Sequence, residues 1–289
     1  MPHFKPSLVP ASIGSADPFL TQKPNPEDLK VLKKINKSKF SVFLAKSEEL
    51  QTSYAMKVFP FSKKDEANPL YHNEKRFGDL QHNNVINLVD SLDRRDAIQS
   101  GQATSVSYII YELASYGNFH DFIFNTEFEY NEKLARTYFR QLISGLEYLH
   151  NNGVAHLDLK PENLLIGDNY EMKITDFDSS YRKGDIMVLS KGTKNYRPNE
   201  IKECECKKIN AADIYSSAII LFCFMFGNLP YLEDSLVEGN DLHDLMTNEQ
   251  SKFWRFHQKM HSSTRISSEF KDLFEQMVKV KPQDRISID

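Results

Sequence analysis

His156-Leu157-Asp158-Leu159-Lys160-Pro161-Glu162-Asn163 sets two acids, a lysine and an amide within a few residues, with apolar runs on both sides. Thirteen residues after Asn163 comes Asp176, in Ile174-Thr175-Asp176-Phe177-Asp178. A loop offering Asp, Lys and Asn, followed at that distance by another Asp, suits a reaction that needs a base and a divalent metal.

Outward from this loop the patterning is regular. Asn131 to Asn151 carries Leu134, Tyr138, Leu142, Ile143, Leu146 and Leu149 at helical spacing and ends before Gly153. Ala211 to Met225 reads as a fully buried helix. Phe253 and Trp254 read as core aromatics, and His257 and His261 as surface histidines. Toward the N-terminus, Leu29 to Lys46 reads as two strands around a turn, with Leu29, Val31 and Ile35 on the first and Val42, Phe43 and Leu44 on the second. Ser53 to Phe59 is a third strand and Pro69 to Leu80 a helix. Residues 1–27 hold six of the twelve prolines and read as a flexible tail.

The loop resembles the catalytic loop of eukaryotic protein kinases, H-R-D-x-K-x-x-N, and Asp176 resembles the metal-binding Asp of D-F-G. Lys160 and Pro161-Glu162-Asn163 resemble the serine/threonine branch. Other motifs follow in the family's order. Tyr54-Ala55-Met56-Lys57 is similar to V-A-I-K, and Tyr108 to Ala114 to the fifth strand and hinge. Pro198-Asn199-Glu200 is similar to A-P-E, and Asp213-Ile214-Tyr215-Ser216 to the start of the central large-lobe helix. The resemblance covers roughly nine tenths of the chain, from Leu29 to the end.

It implies an α+β, two-lobed protein-kinase-like fold: a five-stranded antiparallel sheet with one helix over residues 28–112, then a mainly helical lobe over 113–289 that stops inside its last helix. It also implies roles. Asp158 accepts or orients the proton of the substrate hydroxyl, Lys160 lies against the γ-phosphate, and Thr193 bridges the two. Lys57 holds the α- and β-phosphates of ATP and pairs with Glu74. Asn163 and Asp176 hold Mg²⁺, with Mn²⁺ as a substitute. Ile35, Asn36, Ser38, Ser41, Phe43, Ala55 and Leu165 surround the nucleotide, and Glu112 and Ala114 offer backbone groups to its adenine edge. Tyr111 gates the back pocket. Glu200 forms a buried ion pair with Arg285.

Several positions depart from the family. Asn36, Ser38 and Ser41 stand where the phosphate-covering hairpin has its glycines, while Phe40 keeps an aromatic at its tip. Leu157 replaces the arginine that meets an activation-segment phosphate, and Leu189 occupies the usual phosphosite, with Ser190 the nearest hydroxyl. Both losses point to activity that does not depend on phosphorylation there. Asp178 replaces the glycine of D-F-G.

Bulk properties narrow the rest. The 289 residues are 40% hydrophobic and 26% charged, ordinary for a globular chain. A net charge of −4 gives no electrostatic case for nucleic acid or an anionic membrane. The longest apolar run, Ala218 to Phe226, is far short of a membrane span. Cys204, Cys206 and Cys223 are an odd, sparse set that fits a reducing, cytoplasmic setting, with Cys204 and Cys206 as ordinary surface thiols. The expected partners are ATP and a protein substrate, and the expected state is a monomer. Two readings follow: an active serine/threonine kinase, carried by Lys57, Asp158, Lys160, Asn163, Asp176 and Thr193, and a pseudokinase serving as a nucleotide-binding or scaffold module, favoured by the lost glycines, Asp178 and Asn199.

Overall fold

Period-two alternation decides the N-terminal third. The structure is a computed structural model that describes residues 23–36, 40–61, 67–99, 102–124, 131–185, 192–202, 208–232, 236–237 and 240–288. Most of the tail, Ser38, Leu189, Ser190, Cys204, Cys206 and the final residue lie outside the described residues.

Strands β1 (Leu29–Lys34), β2 (Ser41–Ser47), β3 (Ser53–Pro60), β4 (Leu88–Gln99) and β5 (Gln102–Glu112) form one antiparallel sheet in the order β1-β2-β3-β5-β4. In β3, Tyr54, Met56 and Val58 pack on one face with Val89, Tyr108 and Ile110. Ala55 and Phe59 join the main core on the other face. Lys57 lies between them and shares their side, as the period of two requires. The edge strand β1 shifts register between Val31 and Lys33, and Val31 stays exposed. Ile35, expected on that strand, falls one residue beyond it. Its N–H still donates to Val42 O at 2.8 Å.

Helix α1 spans Pro69–Lys75, shorter than the apolar pattern to Leu80 predicts. Asn68 caps its start by accepting from Leu70 N, and Pro69 occupies the first turn, where a missing N–H is harmless. Beyond Lys75 the bonds tighten to three-residue steps, Phe77 N to Glu74 O and Gly78 N to Lys75 O, both 3.1 Å. That turn buries Phe77, which an extra helical turn would aim elsewhere.

The rest of the chain is mostly helical. Helix α2 (Phe119–Phe124) follows the sheet, then α3 (Glu132–Asn151), capped by Asn131 accepting from Leu134 N at 2.9 Å. Short strands β6 (Val154–Ala155), β7 (Leu164–Ile166), β8 (Met172–Ile174) and β9 (Tyr181–Arg182) carry the loops between. Gly145 lets α3 lie against β8: a Cβ there would meet Ile174 Cδ1 at 2.8 Å and Asn84 O at 2.9 Å. Helix α4 (Asn210–Phe226) is buried along nearly its whole length, as its uniform apolarity predicts. Around it pack α5 (Leu242–Asn248), α6 (Gln250–Met260) and α7 (Ser268–Met277).

His257 corrects one expectation: it is buried, not on the surface. Its ring meets Phe222 at 4.8 Å and Phe253 at 4.5 Å, and Nε2 bonds Pro230 O at 3.0 Å. Burial pushes its pKa down to about 4, so it sits in the core as a neutral ring. His261, one turn on, is half-buried. A histidine on the apolar stripe of an amphipathic helix follows the stripe, and residue type alone misplaces it.

Candidate active site

The site lies where the sheet meets the helical body. Lys57 projects from β3 and donates to Glu74 Oε2 and to Asp176 Oδ1, both at 2.6 Å. Glu74 belongs to α1 and Asp176 to the loop after β8, so one ammonium ties three elements together. Burial by itself would lower the lysine's pKa, but the charges of Glu74 and Asp176 outweigh it and hold the amine protonated. Its two partners divide. Burial would raise Asp176, yet Lys57 overcomes that and holds the carboxyl below its usual range. Fully buried Glu74 is pushed up to about 7, because desolvation exceeds what a shared cation returns.

Glu74 has a second donor. The Tyr111 hydroxyl, buried at the end of β5, donates to Glu74 Oε1 at 2.5 Å. The sequence marks Tyr111 as a bulky gate, while this bond depends on where α1 rests. Asn73, also unforeseen, donates from Nδ2 to Asp178 O at 2.7 Å and to the carbonyls of Phe177 and Ser180 at 3.3 Å. Its place beside Glu74 was the available signal.

The loop after β6 is pinned from below. Asp213 of α4, fully buried, accepts from the backbone N–H groups of His156 and Leu157 at 2.9 Å each. It also meets His150 Nε2 at 2.9 Å. These bonds hold Leu157 at φ +66°, a left-handed conformation costing roughly 1–3 kcal/mol in a non-glycine residue. Leu157 itself is apolar filling: it packs with Ala155, Ile201 and Ala212.

Above that base the polar groups close on each other. Lys160 Nζ donates to Asp158 Oδ2 at 2.7 Å and to Thr193 Oγ1 at 2.8 Å. Thr193 donates to Asp158 Oδ1 from both its backbone N–H and its hydroxyl, at 2.7 Å. Gly192 makes the approach possible: at φ +90°, a Cβ there would meet Leu157 O at 2.4 Å. Asn163 donates its amide to Asp158 O at 2.8 Å, so its carbonyl oxygen is the end left for a cation.

Asp176 sits in the left-handed region, φ 69° and ψ 71°, with Phe177 buried behind it against His156 at 5.2 Å. Asp178 accepts from Ser179 Oγ at 2.9 Å. Burial first, and the charge of Asp176 second, raise its pKa.

On the nucleotide side the residues divide. Ala55 and Leu165 are half-buried against the same core, and Phe43 is half-buried on β2 opposite Met56. Glu112 commits its N–H to Asn87 O at 3.0 Å and its carboxylate to Lys173 at 3.0 Å. Ala114 follows it, half-buried, and the hinge is fastened to β7 by Tyr116 N to Ile166 O at 3.1 Å. Ile35 stands exposed at the rim. Asn36 closes the hairpin with its side chain, donating to Phe40 O at 2.7 Å and accepting from Val42 N at 2.8 Å. Ser41 begins β2, and Ser38 lies outside the described residues. Phe40 turns inward and is buried, 4.7 Å from the Phe59 ring and 5.6 Å from Lys57 Nζ.

The donor set fits a magnesium–nucleotide pair. Among the described residues no three His, Cys, Asp or Glu side chains form a metal cluster. Magnesium does not require one, since it takes one or two protein oxygens and completes its shell with phosphate and water. Farther off, Arg285 grips Glu200 with both guanidinium ends, Nη2 to Oε2 at 3.0 Å, and joins the segment before α4 to the end of the chain.

A five-stranded sheet on a helical body, with a paired lysine at their junction and an acid–lysine–amide loop facing it, defines a protein-kinase-like fold. The chain belongs to the protein kinase family: the protein kinase domain matches residues 30–289. It is 33% identical over 211 residues to probable serine/threonine-protein kinase MARK-C of Dictyostelium discoideum, covering 72% of this chain and 25% of that protein. It is 34% identical over 214 residues to MARK-B of the same organism, covering 73% and 27%. It is 32% identical over 214 residues to CBL-interacting protein kinase 26 of Oryza sativa subsp. japonica, covering 72% and 39%. The chain thus spans about a quarter to two fifths of the length of these relatives.

Proposed function

We propose that this chain is a serine/threonine protein kinase that transfers the γ-phosphate of ATP to a protein hydroxyl. The carrying observation is Lys57 within 2.6 Å of both Glu74 and Asp176, beside the closed Asp158–Lys160–Thr193 group. The names of its relatives support the serine/threonine class.

Phosphoryl transfer leaves little covalent work for a protein, so the residues act by alignment and charge neutralisation. Asn163 and Asp176 would hold Mg²⁺ or Mn²⁺, which would neutralise charge on the phosphates, while ATP would supply the phosphoryl group. Asp158 receives or orients the hydroxyl proton, its carboxylate aimed by Thr193. Lys160 and Lys57 offset the negative charge of the phosphates. Leu165, Ala55 and Phe43 form the apolar walls, and the hinge backbone at Glu112 and Ala114 meets the adenine edge. We place the small lobe at 28–112 and the large lobe at 113–289, in a cytoplasmic monomer. No helix among the described residues is long and apolar enough to cross a membrane.

Phe40 favours a second reading. Its ring, buried beside Lys57, occupies space under the hairpin, and that suits a pseudokinase acting as a nucleotide-binding or scaffold module. One experiment separates the two. Purified protein is incubated with labelled ATP and a generic protein substrate, in Mg²⁺ and then Mn²⁺, beside Asp158→Asn. Transfer that disappears in the variant upholds the kinase. Nucleotide binding without transfer under either metal upholds the module.

A further inference from the structure

Where α1 ends, the chain builds a charged grip that none of the catalytic roles uses. Arg76, two residues after Glu74, donates from Nη1 to Asp185 Oδ1 at 2.6 Å, and its Nη2 reaches Asp185 Oδ2. Asp185 also accepts from the backbone N–H of Arg182, at 2.7 Å to Oδ2, and returns its own N–H to Arg182 O at 2.9 Å. Arg182 donates in turn to Asp79 Oδ1 at 2.7 Å. Both arginines lie over the Phe77 ring, the Arg76 guanidinium 4.8 Å and the Arg182 guanidinium 5.2 Å from its centre. Phe77 also meets Phe177, the residue after Asp176, at 5.5 Å.

Two cations close to one ring repel each other unless acids neutralise them. Asp185 and Asp79 do so, each acid bonded to the arginine of the other segment. A bidentate carboxylate–arginine pair is strong and directional, and this one is partly shielded from water. Kinases commonly order the activation segment by pairing a phosphate on it with arginines. In this chain one such arginine is replaced by Leu157, which is spent on an apolar cluster. At this corner the arginines instead hold carboxylates encoded in the sequence, Arg76 on Asp185 and Arg182 on Asp79.

We propose that Asp185 is a positioning residue for phosphoryl transfer: held by Arg76, it draws the end of α1 onto Phe177 and keeps Glu74 on Lys57 without any phosphate. The inference rests on the kinase reading for its catalytic consequence. Its structural half stands separately.

The test uses the full chain with Asp185→Asn, Asp185→Glu, Arg76→Gln, and the exchange of Arg76→Asp with Asp185→Arg. Two readouts are taken: steady-state kcat and KM for ATP, and hydrogen exchange over residues 69–80 and 177–185. Asp185→Asn and Arg76→Gln are expected to lower kcat about ten- to a hundredfold, the worth of a charge-assisted pair, and to quicken exchange in both stretches. Asp185→Glu and the charge exchange are expected to recover most of both. Phosphatase treatment of the wild type is expected to leave kcat unchanged.

Wild-type kcat in Asp185→Asn, no rescue by Asp185→Glu or the exchange, or loss of kcat on phosphatase treatment would each overturn the proposal. If the wild type transfers no phosphate, the kinase reading falls instead. Exchange alone then decides the grip: quickened exchange in the neutral variants upholds it, and unchanged exchange ends it. Should Asp185→Asn fail to fold, Arg76→Gln reads the same contact from its other side.

Discussion

The base of the cleft and its roof are built on different principles. The base is a chain of charge-assisted bonds: Asp213 to the loop backbone, then Asp158, Lys160 and Thr193 to one another. Each member is chemically specific, and exchanging any one leaves a buried or partly buried partner poorly satisfied. The roof is a hairpin closed by the side chain of Asn36 and weighted by Phe40. There the requirement is a tight turn, which an asparagine can meet through its amide where glycine meets it through backbone freedom. A motif can therefore lose its glycines and keep its turn, whereas the base tolerates no such exchange of means.

The sharpest way to break this contrast is at the base. Asp158→Asn keeps the shape but removes the proton acceptor, so kcat is expected to fall about a thousandfold, and the melting temperature by a few degrees as Lys160 loses its charged partner. A loss of tenfold or less in steady-state kinetics would mean that the loop's geometry matters more than its charge.

A middle case is Glu74, between base and roof. Its ion pair with Lys57 needs the carboxylate charged, and burial pushes its pKa up to about 7. Activity is therefore expected to fall as pH drops through about 7. The Tyr111 hydroxyl favours the charged form, so Tyr111→Phe should move that acid limb to higher pH and lower the rate several-fold near neutrality. A pH–rate profile unmoved by Tyr111→Phe would show that the bond at 2.5 Å does not tune the pair.

At the roof the expected effects are smaller. Asn36→Gly removes both side-chain bonds and frees the turn to approach a phosphate. KM for ATP should drop by about threefold, with kcat within about twofold. A large fall in kcat would make Asn36 part of the alignment machinery and erase the contrast between the two regions.

The smallest effect belongs to Asp178. Its folded pKa is raised, by burial first and by Asp176 second. Such a carboxyl favours the fold below its unfolded pKa and loses that contribution as pH rises through the folded value. Asp178→Asn should therefore raise the melting temperature by about 1–3 °C at pH 7, with the gain vanishing below the ordinary carboxylate range. A melting temperature unchanged at pH 7 would mean that the Ser179 bond offsets the burial.

Much of this was legible along the chain. The helix ends at Asn131 and Gly153, the buried helix from Ala211, the alternation in β3 and the family's motif order are local signals, read from spacing and residue type. The short α1, buried His257 and inward Phe40 were not, because each depends on what another element places beside it. Arg76 meets an acid 109 residues away, and no window of sequence contains both.

The sequence by itself determined which chemical groups this protein owns and the order of its elements, because helix period, strand period and capping act over a few residues. Tertiary structure alone decided how those groups share charge: one lysine between two acids, a tyrosine on the buried one, and two arginines around a ring. Electrostatic pairing depends on distance in space and on shielding from water, and neither is set until the sheet and the helices have packed.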